Sequence, residues 1–457
     1  MTRSVNPSRP APRSSLDAPD TPDAPHASDA SDASAGSDGS SGGDGKSRSG
    51  GSDAHDRPSE SDGSGAADEY GGRRGWLAVA TVATGTFAVV TTEMLPVGLL
   101  TPISDGLNVS DGATGLVLTL ASVVAAIAAP AVLILAGRMD RRVVLAAMSV
   151  VLVVANTMAA LAQNFAMLLG ARVLVGLSIG GFWAIGASLA VRLVPAASAG
   201  RATALIFGGV SVASVVGVPL GTLIGELVGW RFAFGAMAAF SALVAVALFV
   251  FVPPLPAGRP ARLGELPAVL RRGGVLAGTV ALVLVVAGHF GAYTYVRPVL
   301  ERVGGLGPGS IGVLLLVYGT AGIAGNFAVG GVVGRSPRVA LAGAAGLLAV
   351  AVFALAIAGT WTTGTAGAIV LWGLAYGAVP VALQSWLLRA APDEPEVASA
   401  VFVTGFQVAI SAGSLLGGLA VDGVSVGSVL WFGGGLAAGA ALLVATAGRR
   451  GGARGSA

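Results

Sequence analysis

From Trp76 onward, apolar runs of about twenty residues recur along the chain with only short polar interruptions. A helix needs roughly 20 predominantly apolar residues to cross the hydrocarbon of a bilayer. The pattern predicts such helices over 76–100, 113–136, 143–162, 166–190, 202–225, 232–252, 274–296, 309–333, 339–359, 365–387, 397–421 and 427–447. The predicted breaks fall at turn-forming clusters: Ser104-Asp105-Gly106, Gln163-Asn164, Pro253-Pro254 and Pro392-Asp393-Glu394-Pro395. The first 72 residues have no such periodicity. They form a Ser/Asp/Gly/Pro-rich run with 13 acids against 6 bases, too polar to offset the entropy of ordering, and are expected to be a disordered acidic tail.

Composition sharpens this picture. The 457 residues are 54% hydrophobic and 11% charged, with mean hydropathy +0.78, under half the charge of an average soluble domain (about 25%). The reading is an all-α integral membrane protein. With no cysteine, thiolate nucleophiles, Fe–S clusters and disulfides are excluded. His26 and His55 fall in the tail, so His289 is the lone histidine of the apolar body, and neither a metal site nor a His-dependent enzyme centre is expected. Gly45-Lys46-Ser47 mimics the end of a phosphate-binding loop, but Ser40 replaces its first glycine and no strand precedes it. No cofactor is expected.

The basic excess of the body reports topology, with no sign of nucleic-acid binding. If the N-terminus is cytoplasmic, 17 arginines fall in inside segments, among them Arg73, Arg74, Arg138, Arg192, Arg271 and Arg389. Only Arg231, Arg297 and Arg302 fall outside, and Arg172 lies within a helix. This asymmetry predicts both termini in the cytoplasm of a multi-pass protein of the inner (plasma) membrane. The chain also repeats itself at an offset of 197 residues: 172–195 against 369–392 share Gly176/Gly373, Gly180/Gly377, Arg192/Arg389 and Pro195/Pro392. An offset of six helices implies two parallel six-helix repeats. The expected organisation is the tail at 1–72, a six-helix bundle at 73–252, a cytoplasmic linker at 253–273, a second bundle at 274–448 and a short cytoplasmic C-terminal tail at 449–457.

Several phrases resemble the major facilitator superfamily, and within it the twelve-helix drug/proton antiporter branch. Gly137-Arg138-Met139-Asp140-Arg141-Arg142 is similar to that family's loop between its second and third helices. Arg172-x3-Gly176-x3-Gly180-Gly181 and Gly217-Val218-Pro219-Leu220-Gly221 are similar to its motifs on helices 4 and 5. The stretches 92–100, 181–184, 225–231 and 293–298 resemble bacterial purine ribonucleoside efflux permeases and their sugar-efflux relatives. The resemblance implies the major facilitator fold and a cytoplasmic gate at Gly137, Asp140, Arg141 and Arg142. On spacing alone, Gly176, Gly180, Gly217, Pro219 and Gly221 read as helix-packing residues.

One acid needs no resemblance to stand out. Of the eleven acids after residue 72, Glu93 alone falls well inside a predicted helix, and an ionisable group in hydrocarbon is a functional candidate. Desolvation raises a carboxyl pKa and a nearby cation lowers it, so an acid with a movable partner can carry a proton. Arg172, at a matching depth, is the expected partner, either as a coupling pair or as a static ion pair. For a flat, neutral solute the candidate contacts are Phe182, Trp183, His289, Tyr293, Trp372, Tyr376 and Gln384 on spans 1, 4, 7 and 10, with Asn156, Asn326 and Gln407 as polar residues elsewhere.

The resulting expectation is a monomeric secondary transporter that exports a small, neutral, purine-nucleoside-like solute in exchange for protons by alternating access. Efflux of sugars or amphiphilic drugs by the same mechanism is the alternative, and a membrane sensor on a transporter scaffold is the reading from another class. Deleting residues 2–70 separates the last of these. Arg73 and Arg74 remain to orient the first helix, so insertion and transport should persist, as checked by protease accessibility and solute uptake in inverted vesicles. Loss of transport with normal expression would favour the sensor.

Overall fold

The computed structural model describes residues 72–135, 139–256, 266–358 and 361–452. The acidic tail up to residue 71, Gly137 and Arg138 of the expected gate loop, residues 257–265 of the linker and the last five residues lie outside the described residues. Among those described, twelve helices are long and apolar enough to cross a membrane. They are α1 Arg73–Gly98, α2 Asp111–Leu135, α3 Arg141–Ala160, α4 Phe165–Leu193, α5 Ala199–Val228 and α6 Trp230–Phe251. The second six are α7 Gly273–Tyr293, α8 Pro308–Ala328, α9 Pro337–Ala358, α10 Thr362–Ala390, α11 Pro395–Gly423 and α12 Ser428–Gly452.

Helices suit this environment because each satisfies its own backbone hydrogen bonds, which hydrocarbon cannot do. The outer face is apolar to match: Ile127, Leu243, Phe249, Ile357 and Leu419 are all exposed. Trp361 and Trp431 are exposed near helix ends, as expected of side chains anchored at a membrane interface.

The predicted spans hold, with three local differences. Ser104-Asp105-Gly106, expected as a break, instead lies within a short helix, Leu100–Leu107. Its three turn-forming residues are overridden by hydrogen bonds such as Ser104 Oγ to Asp111 Oδ1 at 2.8 Å, and the chain reverses at Asn108, whose φ is 53°. α12 continues past the expected limit at 448 to Gly452. Within α5 a π turn covers Ala213–Gly217, directly before Pro219. Proline has no N–H and crowds the carbonyl four residues back, and the wider turn accommodates it. Between α5 and α6 the chain turns at Gly229, whose φ of 100° suits glycine.

The six-helix repeat reappears in the packing. In the first half α2 packs on α4, α3 on α6 and α1 on α5, and in the second half α8 packs on α10, α9 on α12 and α7 on α11. The contacts between halves obey the same two-fold relation, since α2 meets α11 and α5 meets α8.

The repeated glycines allow these approaches. A Cβ at Gly180 would lie 2.7 Å from the Ala125 carbonyl oxygen, and one at Gly176 would collide with that of Ala121, both on α2. Their counterparts Gly373 and Gly377 face the Tyr318 and Gly322 carbonyls of α8 in the same way. Gly217 and Gly221 bring α5 against Thr91 and Leu95 of α1. Small residues are what let helix backbones pack this closely where lipid supplies no hydrophobic drive.

Gly377→Ala should therefore push α10 off α8 and destabilise the fold by about 1–3 kcal/mol, the usual cost of overpacking. Gly343→Ala, where a Cβ meets nothing within 4 Å, should be neutral or slightly stabilising. Thermal midpoints of the detergent-purified variants check the contrast; equal midpoints would contradict it.

Candidate functional site

The ends of the bundle are named here by α1, which runs from the Arg73 end to the Gly98 end. At the Gly98 end the two halves are joined by a polar seam. Arg297, on a short helix Val296–Arg302 after α7, is 3% exposed. It donates to the Gly98 carbonyl at 2.6 Å and pairs with Glu226 of α5 at 3.3 Å and Glu301 at 2.8 Å. Thr101 donates to Glu301 at 2.6 Å, and Arg302 pairs with Asp111 at 2.6 Å. Asp422 of α11 accepts from the Ser110 hydroxyl at 2.6 Å and the Gly112 amide at 3.1 Å, at the start of α2. Deeper in, Ser414 of α11 donates to the Gly115 carbonyl of α2 at 3.1 Å and accepts from Tyr295 through its own carbonyl at 2.7 Å.

Further inside, Glu93 of α1 is 5% exposed. Its Oε1 accepts from Gln407 Nε2 of α11 at 3.2 Å, a side-chain bond between the two halves. Arg172, expected to pair with Glu93 when that acid is ionised, makes no ion pair with it in this arrangement. Arg172, 1% exposed on α4, donates through Nη1 to the Thr92 carbonyl at 3.0 Å and stacks over the Phe234 ring at 4.9 Å. Its Nε and Nη2 make no hydrogen bond among the described residues, and it remains within electrostatic reach of Glu93. Depth along two helices fixes which residues are level, not which way a long side chain turns, and the neighbouring carbonyl captured this one. Thr92 is held in turn by Asn156 Nδ2 at 3.1 Å.

Beside Glu93 the second half carries an aromatic cluster that unites four of the seven solute candidates: His289 and Tyr293 of α7 with Trp372 and Tyr376 of α10. Tyr376 stacks on His289 with ring centroids 3.3 Å apart and planes at 8°, and Tyr293 lies 5.0 Å from it at 20°. Trp372 Nε1 donates to His289 Nδ1 at 3.0 Å. Tyr376 lies within electrostatic reach of Glu93.

The other three candidates lie elsewhere. Phe182 is buried in the core of the first half against Gly85. Trp183 is half-buried and leans on Phe207 of α5, 5.7 Å away. Gln384 lies eight residues beyond Tyr376 on α10, about 12 Å along the helix axis. Sequence reasoning missed Tyr318 of α8, which stacks on Tyr293 at 4.7 Å, and set Gln407 apart from the site. Tyrosine usage held a signal for the first: the chain has five, and Tyr293, Tyr318 and Tyr376 converge here. Nothing in the sequence pointed Gln407 at Glu93, because that contact spans 314 positions.

At the Arg73 end, Asp140 caps α3 by accepting from the Arg142 amide at 2.8 Å. It also accepts from the Leu255 amide at 2.9 Å, while the Arg141 amide donates to the Leu255 carbonyl at 2.9 Å. The start of the linker is thereby tied to the first half. Arg142 covers the Phe249 ring at 4.4 Å. Arg192 donates to the Pro256 carbonyl at 2.6 Å, and its repeat counterpart Arg389 holds the Val333 and Gly334 carbonyls of the short helix Gly330–Arg335 that follows α8.

Comparison with known proteins agrees with this architecture. A purine ribonucleoside efflux pump, NepI, of Salmonella paratyphi A is 36% identical over 373 residues, covering 82% of this chain and 94% of that protein. NepI of Escherichia coli O6:H1 is 36% identical over 81% of this chain and 94% of its own. Two crystal structures of a bacterial homologue of the human lysosomal transporter Spinster share the fold. Both are inward-facing, one unoccupied and one occupied, with TM-scores of 0.60 and 0.61 at 16% and 17% identity; each comparison covers 82% of this chain and 95% of theirs. The Major Facilitator Superfamily model matches residues 82–414, and with twelve spanning helices in two packed repeats the chain belongs to the major facilitator superfamily, as a multi-pass membrane transporter and not an enzyme.

Proposed function

We propose that this transporter exports a small, neutral, purine-nucleoside-like solute in exchange for protons by alternating access. The observation that carries the reading is the Glu93–Gln407 hydrogen bond, which joins the two halves at a buried carboxyl beside an aromatic cluster. Kinship with pumps named for purine ribonucleosides supports the solute class, and the arginine asymmetry supports Arg73-end-inside orientation in the inner membrane. The protein works as a monomer, since the solute path lies between its own two halves.

The proton carrier is Glu93. Gln407 can donate to an oxygen of either the acid or the carboxylate, more strongly to the carboxylate, so release of Gln407 on ionisation needs a stronger competing partner in the first half. Arg172 is that partner: it lies within electrostatic reach and keeps unused Nε and Nη2 donors, and ionisation of Glu93 draws the guanidinium from the Thr92 carbonyl toward the carboxylate. A carboxylate pulled toward the first half releases Gln407 and loosens the seam at the Gly98 end. Reprotonation frees the acid to accept from Gln407 again. Asp140, Arg141 and Arg142 gate the Arg73 end by fixing the linker that tethers the halves. The driving force suffices: a proton gains about 2.3 kcal/mol per 100 mV and about 1.4 kcal/mol per pH unit.

The alternative of sugar or amphiphilic-drug efflux uses the same carrier and differs only in what the cluster binds. Glu93→Gln mimics the permanently protonated acid. It should abolish pH-gradient-driven accumulation of radiolabelled nucleoside in inverted vesicles while leaving solute exchange without a gradient within about threefold of wild type. Gradient-driven accumulation at the wild-type level would exclude Glu93 as the carrier. A solute panel in the same assay separates nucleosides from sugars and drugs.

A further inference from the structure

His289 is held in an unusual way for a core histidine. Its imidazole is 1% exposed, and the hydrogen-bond partners of its ring nitrogens are side chains of the aromatic cluster. An indole N–H can only donate, so the bond from Trp372 Nε1 at 3.0 Å requires an unprotonated Nδ1, and the ring hydrogen sits on Nε2. Nε2 faces the Tyr318 hydroxyl at 3.5 Å. Tyr376 lies flat against the imidazole at 3.3 Å between centroids, and Tyr293 and Tyr318 run within 20° and 15° of its plane. This is a slot for a planar five-membered ring, with flat stacking faces and a fixed donor aimed at one ring nitrogen.

The slot is not fully satisfied by its occupant. The Tyr376 hydroxyl is buried and has no hydrogen-bond partner among the described residues, an unfavourable state for a buried polar group. It belongs to the ring stacked on His289 and lies within electrostatic reach of Glu93. An occupant larger than an imidazole, with a polar atom on its far side, would supply the missing partner.

We propose that His289 is an internal stand-in for substrate: its imidazole fills the slot that takes the five-membered ring of a purine, and solute binds by displacing it. In the occupied slot, Trp372 Nε1 donates to N7, the ring nitrogen a purine nucleoside leaves unsubstituted. Tyr376 stacks on the base and its hydroxyl meets a polar atom of the remaining ring or the ribose. The inference rests on the nucleoside reading above and adds which atom of the base is read and by which residue. It also fixes a sign. A side chain that contacts substrate weakens binding when removed, whereas a competitor for the same slot strengthens it.

The test is equilibrium binding to the full-length purified protein of two matched pairs of probes: adenosine with 7-deazaadenosine and guanosine with 7-deazaguanosine, in which N7 is replaced by C–H. Wild type should favour the parent of the pair it binds by about tenfold over the deaza analogue, the worth of one hydrogen bond. Trp372→Phe should lower the parent to the level of its analogue and leave the analogue unchanged, a pattern that a purely structural loss would not give. His289→Ala should tighten both members several-fold. Equal affinity of wild type for parent and analogue overturns the proposal without needing any variant to fold. So does weaker binding by His289→Ala, or an equal penalty on both probes from Trp372→Phe. If neither pair binds wild type or His289→Ala, the nucleoside reading itself fails and the slot falls with it. Binding that ignores N7 removes the slot alone.

Discussion

Close backbone approach between helices of the same half is the constraint on which the rest of the molecule depends. In lipid, helices gain little from excluding one another's apolar side chains, so cohesion comes from packing density and buried polar contacts. Glycine provides it at corresponding places in each half, where Gly176 and Gly180 meet carbonyls of α2 and Gly373 and Gly377 meet carbonyls of α8. Each half is thereby a tight unit. The polar side-chain bonds between halves, by contrast, gather toward the Gly98 end among the described residues.

That division of labour gives the polar residues their meaning. A buried guanidinium such as Arg172 is expensive unless paired, and here it has one hydrogen bond to a backbone carbonyl, an aromatic face and two unused donors. Glu93 lies near enough to feel it yet is bonded to the opposite half. In the mechanism proposed above, these two residues supply the second arrangement that coupling a proton to a movement requires. The aromatic cluster next to them, proposed above to take the solute, keeps the Tyr376 hydroxyl without a hydrogen-bond partner among the described residues.

Much of this was legible in the sequence, for physical reasons that can be named. Span number followed from hydropathy because the bilayer fixes helix length, and the six-helix repeat followed from Gly176/Gly373 because both glycines do the same job in the structure, while Arg192 and Arg389 each hold a backbone carbonyl but on different segments. Glu93 stood out because a carboxyl in hydrocarbon is rare. What stayed hidden depended on side-chain direction and on contacts between distant helices. Arg172 turned to a carbonyl instead of the carboxylate, Gln407 reached Glu93 from across the seam, and Phe182 pointed into its own half. The Ser104-Asp105-Gly106 turn signal was local and lost to the contacts of a helix packed under the seam.

In the proposed mechanism the proton on Glu93 governs whether the Gly98 end is closed. The absence of native cysteine allows spin labels to be placed uniquely at exposed sites flanking the seam, Asp105 in the first half and Val424 in the second. Distance distributions between them, measured by double electron–electron resonance in lipid nanodiscs across a pH series, should contain a short and a long population whose ratio changes with pH in the wild-type background. In the Glu93→Gln background the ratio should be independent of pH. A pH-dependent redistribution that survives Glu93→Gln, or a single distance at every pH in wild type, would contradict the account.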